Sequence, residues 1–481
     1  MGHVSEVTSE VPKAAGSRLN NLNIYFILGF AGFLRAILPI VAYLHSRDTR
    51  IFYVPDTGTY VAPAQEIITH HRFFTNGAPE IVRTPGYSFL LIPDLLLNHL
   101  PLLTIALQVL LSCFTVYMVY RTAQLLFTSE RIAIAAAALY AIEPLSILYT
   151  GLIVTETLFT SLVMLWLYFL LRYLVGPTRR DLIFSGIFLA ASVYVRPVGY
   201  FLPVIIAVGL LAWIHTGAQR NKQLLLVDVA AFLFVSMGLT GLWQVRNGEE
   251  TGYFGFSALM PIETYFDKAG SVLATQQRIS YYEMRERLGF SDERVYFALH
   301  PEQKTWSTKQ RLEYMDRQSR DILLGSPLTY ARIHFEGVAR IMLDPGAIDY
   351  LRLFGLYPKV GGMLGIVVDA GLPQTIKLLF VKRPLVFWSS VLMTPLQLLL
   401  LLSACLIFYS RWLLSQPQII AAMGVAAYFV IVSGGPGAVY RYRHPVMPIV
   451  CVFAGYGLCL AWGRFAELRP LQTCHVLSWG V

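Results

Sequence analysis

The chain has 481 residues, of which 56% are hydrophobic and 14% are charged, and its formal net charge is +9. This composition excludes an ordinary soluble globular protein, because the apolar residues form blocks long enough to cross a bilayer. The basic residues lie in short loops that flank these blocks. Membrane topology and anionic headgroups explain such charges, so we expect no nucleic-acid partner.

The apolar blocks predict an all-α polytopic membrane protein of about ten transmembrane helices. The predicted spans are 24–44, 103–126, 132–149, 152–174, 183–196, 198–215, 224–243, 386–409, 417–434 and 445–463. The count is least defined around 183–215, where only Arg196-Pro197 separates two short spans. The run 359–380 is a further candidate for a re-entrant or amphipathic segment.

Basic residues predict the orientation, since Lys and Arg accumulate in short cytoplasmic loops. With ten spans, both termini and the arginine-rich connections lie in the cytoplasm. Two large loops, 45–102 and 244–385, then face outward, and we expect juxtamembrane helices in them. The chain divides into an N-terminal membrane module (1–243), an outer segment (244–385) and C-terminal helices with a tail (386–481). We expect an integral protein of the cytoplasmic (inner) membrane.

The motifs restrict the class of substrate. The cytoplasmic connections are too short to form a domain, and the sequence has no phosphate-binding GxxxxGK[ST] loop. Energy or an activated substrate must therefore come from the membrane or an ion gradient. A transporter and an enzyme with a lipid-linked substrate both fit, and the large outer loops favour the enzyme. The histidines and cysteines form no metal-binding pattern, so we expect no cofactor and no required divalent metal.

Asp56 lies in "FYVPDTGTY" (52–60), just beyond the first span. A short helix is predicted within 57–74, beginning near Thr59, so Asp56 can serve as a helix cap. A carboxylate at the membrane surface can equally act as a general base. The residue pattern alone leaves both roles open.

Other charged residues near the outer ends of spans are candidates, because charges at membrane depth are costly. Arg83 and Tyr87 flank Pro85-Gly86, which predicts a turn, and they suit a lipid phosphate as well as an interfacial anchor. Glu156 is predicted either to form a buried ion pair or to act as a catalytic carboxylate. Glu143 is predicted to stabilise the end of a helix, and Arg35 is predicted to pair with other groups inside the protein. The outer arginines that need negative partners are Arg196, Arg246, Arg441 and Arg443.

A succession of motifs resembles polytopic glycosyltransferases of the GT-C superfamily, close to the bacterial branch related to protein O-mannosyltransferases and lipid A aminoarabinose transferases. The motifs are Asp56 with Tyr60, "RTPGYSFLL" (83–91), "EPLSILYTGLIVTETLF" (143–159), "VRPVGY" (195–200), "WQVRNGEETGYFGFS" (243–257) and "YRYRHPVMPI" (440–449). The resemblance implies an inverting transferase that moves a sugar from a polyprenyl-phosphate carrier to a glycan, lipid or protein hydroxyl on the outer face of the membrane.

The resemblance also implies roles for residues. Asp56 corresponds to the family's acidic residue and is the expected base, with Glu156 as a second carboxylate. The residues expected to bind the donor are Tyr60, Arg83, Tyr87, Arg196, Arg246, Tyr442 and Arg443. Where family members often have Asp-Glu, this chain has Asp56-Thr57. A lipid-linked sugar flippase or carrier, and a polymerase or ligase of polyprenyl-diphosphate-linked glycans, remain alternative functions.

Overall fold

The computed structural model describes residues 14–98, 101–213, 222–358 and 372–463, and these are almost entirely helical. The helices of the N-terminal module are α1 (Ala14–Ser46), α2 (Gly58–His70), α3 (Pro85–Leu96), α4 (Leu102–Phe127), α5 (Glu130–Ala141), α6 (Pro144–Leu148), α7 (Glu156–Val175), α8 (Arg179–Val195), α9 (Leu202–Trp213) and α10 (Lys222–Thr251). Strands β1 (Phe74–Thr75) and β2 (Ala78–Pro79) pair antiparallel, with Phe74 opposite Pro79.

The outer segment and the C-terminal module continue the helical chain. The outer segment contains α11 (Leu259–Glu263), a π-helical stretch (Thr264–Ala269), α12 (Gly270–Gln277), α13 (Tyr281–Arg287), α14 (Glu293–Leu299), α15 (Thr308–Gly325), α16 (Pro327–Leu343), α17 (Ala347–Leu353) and α18 (Leu372–Lys382). The C-terminal module contains α19 (Pro384–Cys405), α20 (Arg411–Leu414), α21 (Pro417–Val432) and α22 (Met447–Ala461). Short 3-10 helices lie at Thr49–Phe52, Pro197–Gly199, Pro301–Thr305, Leu406–Tyr409 and Tyr440–Arg443.

All ten predicted spans overlap helical residues, which confirms the all-α fold class. Five described helices are long and apolar enough to cross a membrane: Asn23–Ser46, Leu102–Phe127, Glu156–Val175, Lys222–Thr251 and Pro384–Tyr409. Pro197–Trp213, Pro417–Val432 and Met447–Ala461 are shorter apolar helices. The count of ten spans therefore stays a prediction. Of the candidate segment 359–380, residues 359–371 lie outside the described residues, and α18 begins at Leu372.

Two local predictions need correction. The predicted span 132–149 is interrupted, because α5 ends at Ala141 and α6 begins at Pro144. The Glu143 carboxylate accepts a hydrogen bond from Ser146 N at 2.6 Å, which confirms its helix-end role. Pro85-Gly86 does not form a turn but begins α3, with Pro85 in the first helical turn, where its missing N–H costs nothing.

The interior of the membrane module is built around α7, which packs against α4 and α8, while α5 packs against α4 and α22. Arg35 of α1 is fully buried and donates to Ser112 Oγ at 2.6 Å and to the carbonyl of Ala141 at 2.8 Å. These bonds confirm that Arg35 is satisfied internally. The outward faces of peripheral helices expose large apolar side chains such as Phe234 and Leu392, as lipid-facing surfaces do.

The outer segment is fastened to the C-terminal module by a close backbone approach. A Cβ on Gly337 of α16 would lie 2.2 Å from the carbonyl oxygen of Gly435, so only glycine fits there. Arg340, one turn along α16, donates to the carbonyls of Gly435 and Pro436 at 3.1 and 3.3 Å. Helix α16 lies in the outer segment, where juxtamembrane helices are expected. Its exposed Leu328 and Phe335 are consistent with a helix that lies on the membrane.

We predict that a cysteine at Ser291, an exposed position in the outer segment, reacts with a membrane-impermeant thiol reagent in intact cells. The physical basis is the outward orientation set by the arginine-rich connections. A cysteine at Thr128, exposed between α4 and α5 on the opposite side, is the matched control and should react only after lysis. The reverse labelling pattern would overturn the orientation.

We predict that Gly337→Ala destabilises the protein by about 1–3 kcal/mol, because the added methyl group collides with the Gly435 backbone. Thermal unfolding in detergent measures the change. Gly325→Ala is the control, since a Cβ there meets nothing within 4 Å. Equal midpoints for the two variants would show that the close approach is not required.

Candidate active site

A cleft of about 380 Å³ opens where the outer segment meets the membrane module. Its lining comes from the loops and the span ends that the ten-span prediction places on the outer side. Charged lining residues of these loops and span ends are Asp56 and Arg83, Glu156, Arg196, Glu263 with Asp267, and Arg441. Connections that are far apart in sequence therefore meet at one end of the helix bundle, as an outward-facing site requires.

Asp56 lies between two arginines in this cleft. Its Oδ1 is 3.3 Å from Arg83 Nη2, and its Oδ2 is 2.7 Å from Arg441 Nη2. The residue at the N-cap of α2 is Thr57, and its side chain makes no capping hydrogen bond. The Asp56 carboxylate is thus engaged by guanidinium groups and not by the helix end, which removes the simple capping role.

The ion pairs continue beyond Asp56. Arg441 Nε lies 3.7 Å from Glu156 Oε1, and Arg196 Nη1 donates to the same Oε1 at 2.9 Å. The order Arg83, Asp56, Arg441, Glu156, Arg196 alternates in sign, and we call these five residues the charge chain. Three guanidinium groups and two carboxylates leave it with a formal charge of +1. Arg441 Nε is buried and has no hydrogen-bond acceptor among the described residues.

Aromatic rings support the arginines of the charge chain. Arg83 lies over the ring of Tyr60 at 5.1 Å and donates to its hydroxyl at 3.3 Å. Arg196 lies over Tyr442 at 5.4 Å. Both rings line the cleft. Cation–π contacts hold guanidinium groups in place while leaving their N–H groups free to donate in the plane of the group.

The local fold places Asp56 beside Glu156. The hydroxyl of Thr57 donates to the carbonyl of Ile153 at 2.8 Å, and Ile153 N donates to the carbonyl of Phe52 at 2.9 Å. These bonds fasten the first outer loop to the segment just before α7, where Glu156 is only 1% exposed. Arg441 reaches the pair from the 3-10 helix Tyr440–Arg443, which follows the Gly435 segment clamped by α16.

The two arginines set the protonation of Asp56. Burial in the cleft raises the pKa of the Asp56 carboxyl, but Arg441 and Arg83 outweigh burial and hold the pKa below its ordinary value. Asp56 is therefore a carboxylate at neutral pH. While both arginines remain on it, however, it is a weak base.

The outer segment supplies a second wall of the cleft, whose residues were not among those predicted from the sequence. Asp267 pairs with Arg285 at 2.8 Å and accepts a hydrogen bond from Tyr281 at 2.7 Å. Glu263, four residues earlier, lines the cleft as well, and its side chain has no hydrogen bond or ion pair within the part of the chain described. The only signal in the sequence is a pair of acidic residues among aromatic ones in "PIETYFDK" (261–268).

Three of the expected donor-binding residues do not line the cleft. Arg443 is 2% exposed and donates to the carbonyls of Ile341 and Asp344 and, at 3.2 Å, to Gln397 Oε1. It joins α16 and α19, and Arg441 occupies the cleft position expected for it. This placement corrects the expectation that Arg443 meets the phosphate.

Arg246 and Tyr87 also have structural partners. Arg246 donates to the carbonyls of Phe73 and Glu80 at 2.6 and 2.8 Å, which ties the first outer loop to α10. Tyr87 is fully buried and donates to Gln108 Oε1 at 2.9 Å. The structure thus brings Asp56, Tyr60, Arg83, Glu156, Arg196 and Tyr442 together in one cleft and leaves Arg246, Tyr87 and Arg443 outside it.

Residues 96–240 match a family model described as dolichyl-phosphate-mannose-protein mannosyltransferase. This stretch runs from the end of α3 into α10 and includes Glu156 and Arg196. No curated protein matches the chain.

Among solved structures, one that is similar to this chain is the archaeal oligosaccharyltransferase AglB from Archaeoglobus fulgidus, in complex with an inhibitory peptide and a dolichol-phosphate. The similarity covers 95% of this chain and 52% of the AglB chain, with a TM-score of 0.54 and 13% identity. An apo form of the Archaeoglobus fulgidus oligosaccharyltransferase is similar over 93% and 51%, with a TM-score of 0.51 and 13% identity. ArnT from Cupriavidus metallidurans, bound to undecaprenyl phosphate, has a TM-score of only 0.38 at 15% identity, over 91% of this chain and 80% of its own.

The chain spans about half the length of the archaeal structures, and at this identity the likeness concerns the fold. The sequence motifs predicted the same fold. The shared fold and the family match over residues 96–240 agree with the resemblance to GT-C glycosyltransferases that the sequence motifs carry.

Proposed function

We propose that this protein is an inverting glycosyltransferase that moves a monosaccharide from a polyprenyl-phosphate carrier to a hydroxyl acceptor on the outer face of the cytoplasmic membrane. The acceptor is a glycan, a lipid or a protein. The observation that carries the proposal is the charge chain, which presents arginines at the membrane surface with one positive charge in excess.

This excess suits the proposed donor. The phosphodiester of a polyprenyl-phosphate sugar has one negative charge, which balances the charge chain, whereas a diphosphate-linked donor brings two. Arginine is well matched to phosphate because its planar fork donates two parallel hydrogen bonds. The AglB complex with a dolichol-phosphate and the ArnT complex with undecaprenyl phosphate have ligands of this kind, and AglB shares the fold.

The geometry supports a sequence of steps. The donor phosphate competes with Asp56 for Arg441 and Arg83, since all three groups meet in one place. Once these arginines turn to the phosphate, the Asp56 carboxylate loses the charges that lowered its pKa and becomes a stronger base. Asp56 then removes the proton from the acceptor hydroxyl, the acceptor oxygen bonds to the anomeric carbon opposite the phosphate, and polyprenyl phosphate leaves.

Glu156 acts as a positioning residue in this proposal. It is buried and accepts from Arg196 at 2.9 Å, so it is not free to reach an acceptor. Its charge holds Arg196 and Arg441 at the edge of the cleft, where they neutralise the charge that develops on the leaving phosphate. This role replaces the expectation of a second catalytic carboxylate.

We predict that Asp56→Asn lowers turnover roughly a hundredfold or more, because asparagine cannot accept the proton. Donor affinity should be kept or raised, since the variant no longer competes for Arg83 and Arg441. Turnover is measured as sugar transfer from synthetic polyprenyl-phosphate monosaccharides by purified protein, with the cell-envelope fraction as the source of acceptors.

The control is Asp48→Asn, the same change in the same loop outside the cleft. Asp48 only caps a short 3-10 helix, and asparagine caps equally well. Near-normal turnover by folded Asp56→Asn protein would contradict the assignment of Asp56 as the base.

We predict that Arg441→Ala weakens binding of a polyprenyl-phosphate sugar by about tenfold or more, because it removes charged hydrogen bonds to the phosphate. Arg441→Lys should recover part of the affinity, since lysine keeps the charge but loses the fork. Binding to the purified protein in detergent measures both. Arg332→Ala, at an exposed ion pair on α16, is the control. Unchanged affinity in both Arg441 variants would exclude Arg441 from the phosphate site.

We further propose that no divalent metal is required. Asp56 and Glu156 are the carboxylates of the charge chain, and arginines occupy both, so a cation bound by these two residues would have to displace guanidinium groups. Transfer should therefore persist in EDTA. Complete loss of transfer that Mg²⁺ or Mn²⁺ restores would recast both residues as metal ligands.

A further inference from the structure

The wall of the cleft opposite the charge chain contains one carboxylate without a structural role. Asp267 is held by Arg285 and Tyr281. Glu263 also lines the cleft, yet its side chain has no hydrogen bond or ion pair to any described residue. Glu263 is exposed to the cleft, so its two carboxylate oxygens are free to accept hydrogen bonds from a ligand that supplies donors.

The backbone at Glu263 is unusual as well. Residues Thr264–Ala269 form a π-helical stretch directly after α11. Such stretches are rare and frequently occur at functional sites, because the extra residue in the turn changes where side chains point. Here it separates α11 from α12 and leaves Glu263 and Asp267 both at the cleft.

Glu263 lies within electrostatic reach of the proposed phosphate site. Desolvation in the cleft, and then the charge of Asp267, raise the pKa of Glu263, while Lys268, Arg83 and Arg196 oppose the rise. Arg83 and Arg196 line the same cleft as Glu263 and are therefore near enough to act on it. The sugar of the donor is bonded directly to the phosphate, so a phosphate on these arginines places the sugar between the two walls.

We propose that Glu263 recognises the sugar of the donor by accepting hydrogen bonds from its hydroxyl groups, an inference that rests on the proposed function. A carboxylate has two oxygens and can accept from two adjacent hydroxyls. The rings of Tyr281, Tyr282, Phe290 and Tyr442 also line the cleft and can pack against the apolar face of a sugar. Glu263 would thus determine which sugar is transferred, separately from the phosphate.

The test compares two lipids with the same single negative charge. One is a short-chain polyprenyl-phosphate sugar, chosen from a panel of neutral hexoses and pentoses as the tightest binder. The other is polyprenyl methyl phosphate, which has no sugar. The ratio of their affinities for the purified full-length protein isolates the contribution of the sugar and needs no acceptor.

We expect the wild-type protein to prefer the sugar-linked lipid and Glu263→Ala to lower that preference by about tenfold or more, with affinity for polyprenyl methyl phosphate unchanged. Deoxy sugars that lack the contacted hydroxyls should lose affinity for the wild type but not for the variant. Glu313→Ala, at an exposed ion pair in the same segment, is the matched control.

An unchanged preference in Glu263→Ala would overturn the inference, and so would an equal loss of affinity for both lipids, which indicates a structural role. A preference that appears only with amino sugars would overturn the assignment to hydroxyl groups. Failure of the wild type to bind either lipid would instead contradict the proposed function, and the inference with it.

Discussion

The contact of Asp56 with Arg83 and Arg441 is the interaction on which the rest of the site depends. It joins the first outer loop to the segment before α22, two parts of the chain 385 residues apart. It also determines the chemistry, because two guanidinium groups keep one carboxylate ionised and weakly basic. A site in this state has its guanidinium groups occupied by its own carboxylate, and in the proposed mechanism an incoming phosphate competes with that carboxylate directly.

The membrane limits how such charges can be arranged. A buried charge that lacks a partner costs several kcal/mol, and each member of the charge chain lies beside one of opposite sign. The sign of the charge alternates from Arg83 to Arg196, so all five residues of the charge chain have a partner of opposite sign, and one positive charge is still in excess. Loss of any member leaves a neighbour uncompensated, and the effects of single substitutions in the chain should therefore not add.

Much of the fold could be predicted from the sequence, because a span is recognised from its own length and hydropathy. Asp56, Arg83, Glu156 and Arg196 were predictable for a related reason: a charge at the end of an apolar span stands out. The choice between Arg441 and Arg443 was not predictable. They lie two residues apart on a 3-10 helix with three residues per turn, so they point to different sides, and only the packing of α16 decides which enters the cleft.

The other site residues whose positions differ from the sequence-based prediction do so for similar reasons. Arg246 and Tyr87 look like ligands in the sequence, but their partners are backbone carbonyls and a glutamine that only the folded chain brings near. Glu263 lies within the outer segment and not at the end of an apolar span, so its charge gives no hydropathy signal. The π-helical stretch that follows it has no sequence pattern of its own. Long-range contacts and irregular backbone thus decide the details of the site.

The most direct test of the account is the pKa of the Asp56 carboxyl before and after the phosphate binds. Infrared titration of the purified protein, with Asp56→Asn subtracted to assign the band, measures it with and without polyprenyl methyl phosphate. The account predicts a pKa below the ordinary value in the free protein, because Arg441 and Arg83 outweigh burial, and a clear rise when the lipid binds and draws these arginines away. A pKa that stays low while the lipid is bound would show that phosphate does not compete with Asp56, and would contradict the proposed activation of the base.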